Sequence, residues 1–141
     1  MSRDESAWSP GEIPDELIQA LNDCQNPLIL THIYPDGDAL GSAVAVHRLL
    51  ASLGKSPRTV LTHPVPDKLT FIDHDEVAGV PAENPDLNPA SRVEAADLIV
   101  VVDTSAPDRL GLMEPAVSSG KAPRICIDHH LEGAYEYFSA I

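Results

Sequence analysis

The feature that most constrains the fold is an apolar run at residues 98–102, Leu-Ile-Val-Val-Val, with an aspartate on either side. Such a run, mostly β-branched, predicts a strand that is covered on both faces, as in a parallel sheet. Apolar runs at residues 28–31 and 124–127, and a weaker one at 57–62, predict three more strands. Helical segments lie between them, so we expect an α/β fold with a doubly wound, mostly parallel, Rossmann-like sheet and flanking helices.

The expected helices have recognisable ends. The first has apolar residues at helical spacing up to Cys24, and Pro14 suits its first turn. The second is predicted over residues 39–53, with Asp38 as its N-cap and Gly54 at its end. Residues 63–89 are rich in proline and aspartate, and their apolar island at 69–72 is either a short helix or a strand.

Length and composition set the class of protein. The 141 residues fit one domain, which we expect at residues 13–141 after a flexible lead-in at residues 1–12. The net charge of −13 argues against binding of long duplex nucleic acid. Aromatic residues make up 4% of the chain, so a base-stacking surface is not expected.

The sequence gives no reason to expect a membrane partner, and its first residues lack the apolar core of a signal peptide. No apolar run reaches membrane-spanning length, so we expect a cytoplasmic protein. Cys24 and Cys126 are then expected to be buried, reduced thiols rather than a disulfide.

Polar residues follow three of the predicted strands. They are His32, Asp36 and Asp38 after the first; Asp103 after the third; and Asp128, His129 and His130 after the last. Parallel strands bring their carboxyl ends to one edge of the sheet, where ligands bind. These side chains are therefore expected to share one cleft.

Carboxylates and imidazoles in one cleft predict a metal site. Two aspartates as close as Asp36 and Asp38 repel each other unless a positive charge lies between them. Oxygen-rich ligation with some histidine suits manganese or magnesium better than a thiolate-seeking metal. The chemistry of a metal pair of this kind is hydrolysis at phosphorus by an activated water.

Each cluster also has a plainer interpretation. Asp36 and Asp38 are common turn formers around a glycine such as Gly37, and Asp103 is a plausible helix cap. The conjunction of three acidic strand ends on one sheet edge favours the metal site.

Other polar residues are weaker candidates. The segment 73–75, Asp-His-Asp, is expected in a solvated loop. His47 is expected to face solvent or pack on a neighbour, and His63 flanks a proline turn without a companion ligand. Arg109 either reaches a phosphate or is an exposed helix-start residue.

The same residues carry a family resemblance. Residues 32–42, His-Ile-Tyr-Pro-Asp-Gly-Asp-Ala-Leu-Gly-Ser, resemble the first motif of the DHH phosphoesterase superfamily, and residues 101–105, Val-Val-Asp-Thr-Ser, resemble its second. Residues 128–130 are similar to the Asp-His-His triplet that names the superfamily. Gly37 makes the turn most similar to the nanoRNase/pAp phosphatase (bifunctional oligoribonuclease) branch, because the related manganese pyrophosphatases usually carry threonine there.

The resemblance implies two Mn²⁺ ions, with Mg²⁺ as the alternative. It implies that His32 and Asp36 hold one ion, that Asp38 and His129 hold the other, and that Asp103 bridges them. Asp103, His129 and His130 are then the catalytic residues, with His130 near the scissile phosphate.

The resemblance also assigns supporting roles. Asp128 supports the site from the last strand, and Ser42 lies at the end of the first motif. Gly37 is expected to allow the backbone angles of a tight turn. Gly41 is expected to let the helix start approach the strand closely.

The resemblance further implies the substrate and the extent of the domain. Enzymes of this branch remove nucleotides from very short RNAs, as exonucleases, and dephosphorylate 3'-phosphoadenosine 5'-phosphate (pAp); related members cleave cyclic-dinucleotide products. We therefore expect a short oligonucleotide or phosphorylated nucleotide as substrate, and a homodimer remains open. The family core continues beyond the triplet with a further metal-binding aspartate and a second, substrate-binding domain, so this chain resembles the N-terminal part and is expected to be weak or inactive alone.

Two other functions stay open from the residues. One is a non-catalytic metal- or nucleotide-binding regulatory module that keeps the ligands without turnover. The other is an aspartate-nucleophile phosphatase. It is disfavoured because enzymes of that class have the nucleophilic aspartate of their Asp-x-Asp motif directly after an apolar strand. In this chain residues 31–35 intervene.

Overall fold

The computed structural model describes residues 13–72, 74, 77, 81, 83–84, 86–130 and 133–139. Its four named strands are β1 (Pro27–Leu30), β2 (Arg58–Val60), β3 (Leu98–Val102) and β4 (Arg124–Ile127). They form one sheet in the order β2-β1-β3-β4, and every neighbouring pair is parallel. The predicted parallel α/β sheet is confirmed.

Helices cover both faces of this sheet. They are α1 (Asp15–Asp23), α2 (Gly37–Ser52), α3 (Pro89–Glu94) and α4 (Glu114–Ser119), with 3-10 turns at Asp67–Leu69, Pro107–Met113 and Tyr135–Tyr137. Leu17 of α1 and Leu50 of α2 pack with Ile29 on one face. Val93 of α3 and Val117 of α4 belong to the cluster on the opposite face. The sheet is therefore doubly wound.

Strand β3 shows why its sequence is apolar throughout. Ile99 and Val101 point into the cluster that contains α3 and α4, whereas Val100 and Val102 point into the cluster that contains α1 and α2. Full burial of such a side chain contributes about 1.5–3 kcal/mol. An alternating polar pattern would leave one of the two helix layers without a partner.

The strand order reverses between β1 and β3. The chain leaves β1 toward β2 on one side, and later extends from β3 to β4 on the other. At such a switch point the connections diverge, so a crevice opens at the carboxyl ends of the two strands. At the amino ends the Asp97 carboxylate accepts the backbone N–H groups of Gln25 at 2.7 Å and Asn26 at 2.9 Å, which ties the starts of β1 and β3 together.

The start of α2 differs from the prediction. The helix begins at Gly37, and its N-cap is Asp36, whose side chain accepts the N–H of Ala39 at 2.9 Å. The prediction that Asp38 is the N-cap was wrong. Asp38 lies inside the first turn of the helix, and its carboxylate faces His129 at the strand ends. The helix ends as predicted, since Gly54 follows it with φ of 80°.

Two glycine expectations were also wrong. Gly37 is already helical and does not have a positive φ; the positive φ in this turn belongs to Tyr34 instead, at 51°. A Cβ on Gly37 would be 3.7 Å from Leu69, an ordinary contact, and a Cβ on Gly41 would meet nothing within 4 Å. Neither glycine is needed for close backbone approach.

Four smaller features can also be compared with the predictions from the sequence. Pro14 is the N-cap of α1 rather than part of its first turn. The apolar island begins at the end of a 3-10 turn, and α3 and α4 are short helices that the sequence did not indicate. Cys24 and Cys126 are free and buried, as predicted.

Some expectations lie outside the described residues. These are the lead-in at residues 1–12 and the side chains of Asp73 and Asp75. None of the helices in the described part of the chain has both the length and the apolar character required to cross a membrane.

Candidate metal centre

Asp103 lies at the middle of the crevice, directly after β3. Its residue surface is only 5% exposed, and its backbone has φ of 59°. This left-handed conformation is uncommon outside glycine, although aspartate tolerates it better than most residues. It ends the strand abruptly and turns the carboxylate toward the end of β1.

The first group of ligand atoms forms around His32, which follows β1. The Nδ1 atom of His32 lies 2.7 Å from the backbone carbonyl of Ile33, and because a carbonyl only accepts, Nδ1 carries the proton. In the neutral ring the lone pair is therefore on Nε2. That atom lies 3.2 Å from Oδ2 of Asp103 and 3.7 Å from Oδ1 of Asp36.

The second group forms around His129, which follows β4. Its Nε2 atom lies 3.1 Å from Oδ1 of Asp103 and 3.2 Å from Oδ2 of Asp38. The two groups thus have the same composition, one imidazole nitrogen and two carboxylate oxygens. They share Asp103, which gives one oxygen to each group.

The donor set of both groups fits divalent cations. His32 with a lone pair on Nε2 would face the oxygens of Asp36 and Asp103, and three acceptors in contact repel one another. A cation between them removes the repulsion, and imidazole with carboxylate is a ligand set that proteins use for such ions. The backbone hydrogen bond from Ala39 holds the pKa of Asp36 below its usual value, so this carboxylate stays ionised as a ligand must.

Ligand atoms of Asp103, Asp128, His129 and His130 all lie within 4.8 Å of one another, so Asp128 is a further candidate ligand beside the second group. Asp128 also holds a neighbouring ring. Its Oδ1 atom accepts the Nδ1–H of His130 at 2.5 Å, and its side chain is 1% exposed. Burial raises the pKa of Asp128, but hydrogen bonds from His130 and Ser105 outweigh this effect and leave the pKa lowered. With Nδ1 held by a carboxylate, the His130 ring is fixed in orientation and its Nε2 is left for other partners.

The loop between β1 and α2 is held from a second segment that sequence reasoning did not identify. The N–H of Ile33 donates to the carbonyl of Arg109 at 2.8 Å. Gly111, with φ of 55°, lies so close that a Cβ there would be 2.7 Å from the Ile33 side chain. The glycine in the sequence Arg-Leu-Gly-Leu was the available signal, but nothing local indicated its partner.

The remaining candidates lie outside the two groups. Ser42 is half-buried in the second turn of α2. His47 is buried and packs on a neighbour, which is one of the two positions expected for it. Its Nδ1 atom lies 2.9 Å from the Thr59 hydroxyl. His63 stacks on Tyr34, with ring centroids 4.1 Å apart. The side chain of Arg109 is exposed.

Comparison with known proteins agrees with this architecture. A family model described as DHH family, N-terminal domain, matches residues 26–140. The chain is 29% identical over 104 residues to the bifunctional oligoribonuclease and PAP phosphatase NrnA of Thermus thermophilus. The aligned residues make up 73% of this chain and 28% of that protein.

A solved structure has the same fold. The crystal structure of an exopolyphosphatase-related protein from Bacteroides fragilis matches with a TM-score of 0.81 and 24% identity, over 90% of this chain and 37% of that chain. The chain therefore spans well under half the length of either protein. With the family model matching most of its residues, the chain belongs to the DHH family of phosphoesterases and contains the N-terminal domain of that family.

Proposed function

We propose that this chain is the metal-binding core of a manganese-dependent phosphoesterase. The complete enzyme would hydrolyse phosphodiester or phosphomonoester bonds in short oligoribonucleotides or in 3'-phosphoadenosine 5'-phosphate. Two Mn²⁺ ions are its cofactors, and Mg²⁺ is the alternative occupant.

One observation carries the proposal: the two matched groups of ligand atoms that share Asp103. Each contains an imidazole Nε2 and two carboxylate oxygens, with contacts between 3.1 and 3.7 Å. In one group His32, Asp36 and Asp103 hold the first ion. In the other, Asp38, Asp103 and His129 hold the second.

The chain's own residues then have distinct tasks. The bound cations supply an activated water and neutralise the phosphate oxygens. Asp103 would offer one carboxylate oxygen to each ion, and its burial keeps bulk water away from the carboxylate. His130 is oriented by Asp128 and lies beside the ligands. In its imidazolium form, with the Nδ1–H still bonded to Asp128, it would donate the Nε2 proton to the leaving oxygen and become neutral.

The substrate class follows from charge and from the relative. The chain carries a net charge of −13, so an anionic substrate is repelled unless cations occupy the acidic crevice. Nucleotide phosphates are also the substrates in the name of the Thermus thermophilus protein. The chain covers 28% of that protein, and we expect the activity of the 141-residue chain alone to be weak.

The test begins with metal binding by isothermal calorimetry on the 141-residue chain. We expect two Mn²⁺ ions for the wild type and loss of both sites in Asp103→Asn, since asparagine tolerates the left-handed backbone but removes the shared carboxylate. His129→Ala should lose one site. The control is Asp23→Asn, an exposed carboxylate at the opposite end of the sheet, which should bind as the wild type does.

Hydrolysis of pAp and of a short oligoribonucleotide is then measured with the same variants. Turnover that requires both Asp103 and His129 supports the phosphoesterase assignment. Binding of two ions and of nucleotide without turnover, even with the remainder of the protein added, favours the regulatory module instead. Wild-type binding in Asp103→Asn would refute the proposed site.

A further inference from the structure

The exposed aromatic side chains of this protein have an uneven distribution. Of the four Phe and Tyr side chains that the structure describes, Tyr137 and Phe138 pack in the hydrophobic cluster that contains α3 and α4. The other two, Tyr34 and Phe71, are 73% and 81% exposed. Tyr34 lies in the loop between β1 and α2, which also carries His32 and Asp36, and Phe71 lies beyond β2 in the chain.

Tyr34 combines exposure with an unfavourable backbone. Its φ is 51°, a left-handed conformation that is uncommon for a bulky residue and costs about 1 kcal/mol or more. The exposed ring gains little from burial in return. Backbone strain of this kind concentrates at ligand-binding positions, so the fold alone gives no reason for a tyrosine here.

The ring of Tyr34 is nevertheless held in place. It stacks on His63, which follows β2, with centroids 4.1 Å apart and an angle of 35° between the planes. One face of the ring is therefore covered by His63, and at 73% exposure the opposite face is open to solvent. A fixed aromatic ring with one open face is the arrangement on which nucleobases stack.

The position of Tyr34 relates this ring to the ligands. It is two residues after His32 and two before Asp36, whose side chains approach to 3.7 Å. Two residues of extended chain span about 7 Å at most, so the Cα atom of Tyr34 lies within about 7 Å of the Cα atoms of both ligands. A phosphate at the metal centre and the base of the same nucleotide on Tyr34 are compatible with this separation.

We propose that the open face of Tyr34 binds the base of the substrate nucleotide, with His63 as a positioning residue behind it. The proposal rests on the phosphoesterase function above and narrows its substrate class to phosphoesters that carry a nucleobase, as opposed to inorganic polyphosphate. It departs from the expectation drawn from composition. A single ring at the right place suffices, however few aromatic residues the chain contains.

The test compares ligands with and without a base on the Mn²⁺-loaded chain. Calorimetry measures binding of adenosine 5'-monophosphate, of ribose 5-phosphate and of tripolyphosphate. The main variant is Tyr34→Asn, because asparagine adopts the left-handed backbone readily and the chain should melt at the wild-type temperature or above. Tyr34→Phe keeps the ring, and Leu53→Ala removes an exposed apolar side chain at the far end of α2 as a control.

We expect the wild type to prefer the adenine nucleotide over ribose 5-phosphate by about tenfold or more, the usual contribution of one stacked base. Tyr34→Asn should lose that preference while its affinity for ribose 5-phosphate stays within about twofold. Tyr34→Phe should retain it, and His63→Ala should reduce it in part.

The failures of the two proposals are distinguishable. Equal binding of the adenine nucleotide and ribose 5-phosphate by the wild type, or an unchanged preference in Tyr34→Asn, overturns the role of Tyr34 and leaves the metal centre standing. Tighter binding of tripolyphosphate than of the nucleotide also overturns it. Absence of Mn²⁺ binding in the wild type overturns the proposed function and this inference with it.

Discussion

The hydroxyl of Thr31 donates a hydrogen bond of 2.8 Å to the backbone carbonyl of Val102, and both residues are buried. The bond joins the carboxyl ends of β1 and β3 one residue before His32 and one residue before Asp103. It sets the separation of the two strand ends at the point where the shared ligand leaves the sheet.

Thr31→Val should therefore weaken both the fold and the metal centre. Valine keeps the shape and the strand preference but leaves the buried carbonyl without this donor, which costs about 1–3 kcal/mol. Urea unfolding of the metal-free chain measures the loss, and calorimetry should show weaker Mn²⁺ binding at the His32 group.

The matched control is Thr70→Val. Thr70 makes the same kind of bond, 2.9 Å to the carbonyl of Asp67, but at an exposed position. Its loss should change the free energy of unfolding by less than about 0.5 kcal/mol. Equal losses in the two variants would contradict a special role for the Thr31 bond.

The two aspartates of the turn should separate by their effect on the metal-free protein. Asp36→Ala removes the N-cap of α2 and should cost about 1 kcal/mol, whereas Asp38→Ala should change stability by a few tenths. Both should weaken Mn²⁺ binding. Thermal unfolding with and without Mn²⁺ measures both effects.

Asp36→Asn provides the control for the cap, because asparagine caps helices as well as aspartate does. It should restore the stability of the metal-free chain but not the binding of Mn²⁺. Since the hydrogen bond from Ala39 lowers the pKa of Asp36, the stability that its ionised form adds should be present above about pH 4 and disappear as pH falls through the lowered pKa. A larger loss of stability in metal-free Asp38→Ala than in Asp36→Ala would show that Asp38, and not Asp36, is the N-cap of α2.

Two glycines should respond to alanine in opposite ways. Gly111→Ala places a Cβ 2.7 Å from Ile33 on a backbone with φ of 55°, so we expect a loss of about 1–3 kcal/mol. Gly41→Ala adds a Cβ in open space inside α2 and should stabilise the chain by about 0.5–1 kcal/mol. Chemical denaturation tests both, and destabilisation by Gly41→Ala would support the close approach expected from the sequence.

The buried thiol of Cys126 should make the protein sensitive to alkali. Burial raises its pKa to about 12, while an unfolded thiol ionises near about 8.5. Between these values the unfolded chain releases a proton that the folded chain keeps. The free energy of unfolding should therefore fall by about 1.4 kcal/mol per pH unit above about pH 9 from this group.

Urea denaturation of the metal-free chain at several values of pH from 8 upward measures this slope. Cys126→Ser removes the titrating group and keeps a donor for the carbonyl of Thr104, to which the thiol is bonded at 3.1 Å. Its slope should be shallower than that of the wild type. Parallel slopes would show that other groups cause the alkaline loss.

The strands and the side chains at their ends differ in how far the local sequence predicts their positions. The run at residues 98–102 predicted a doubly covered parallel strand, because burial on both faces leaves no polar position in the pattern. From that sheet, the meeting of His32, Asp103 and His129 followed, since parallel strands end at one edge. Their metal-binding roles stay predictions.

Other features depended on contacts between distant segments. Whether Asp36 or Asp38 caps α2 depends on which carboxylate is turned toward the helix N–H groups, and the pattern allows both. The short helices α3 and α4 have too few residues for a periodic signal, and they are held mainly by packing on the sheet.

By itself, the sequence determined the parallel α/β sheet and the identity of the side chains at its carboxyl edge, because hydrophobic periodicity and strand ends are local properties. Only the tertiary structure decided how those side chains pair, with Asp103 between His32 and His129 and Asp128 held on His130 instead. It also placed Tyr34 on His63 beside them. Apart from the local contact of Asp128 with His130, these pairings join segments that follow different strands, and their distances are set by how the strands pack.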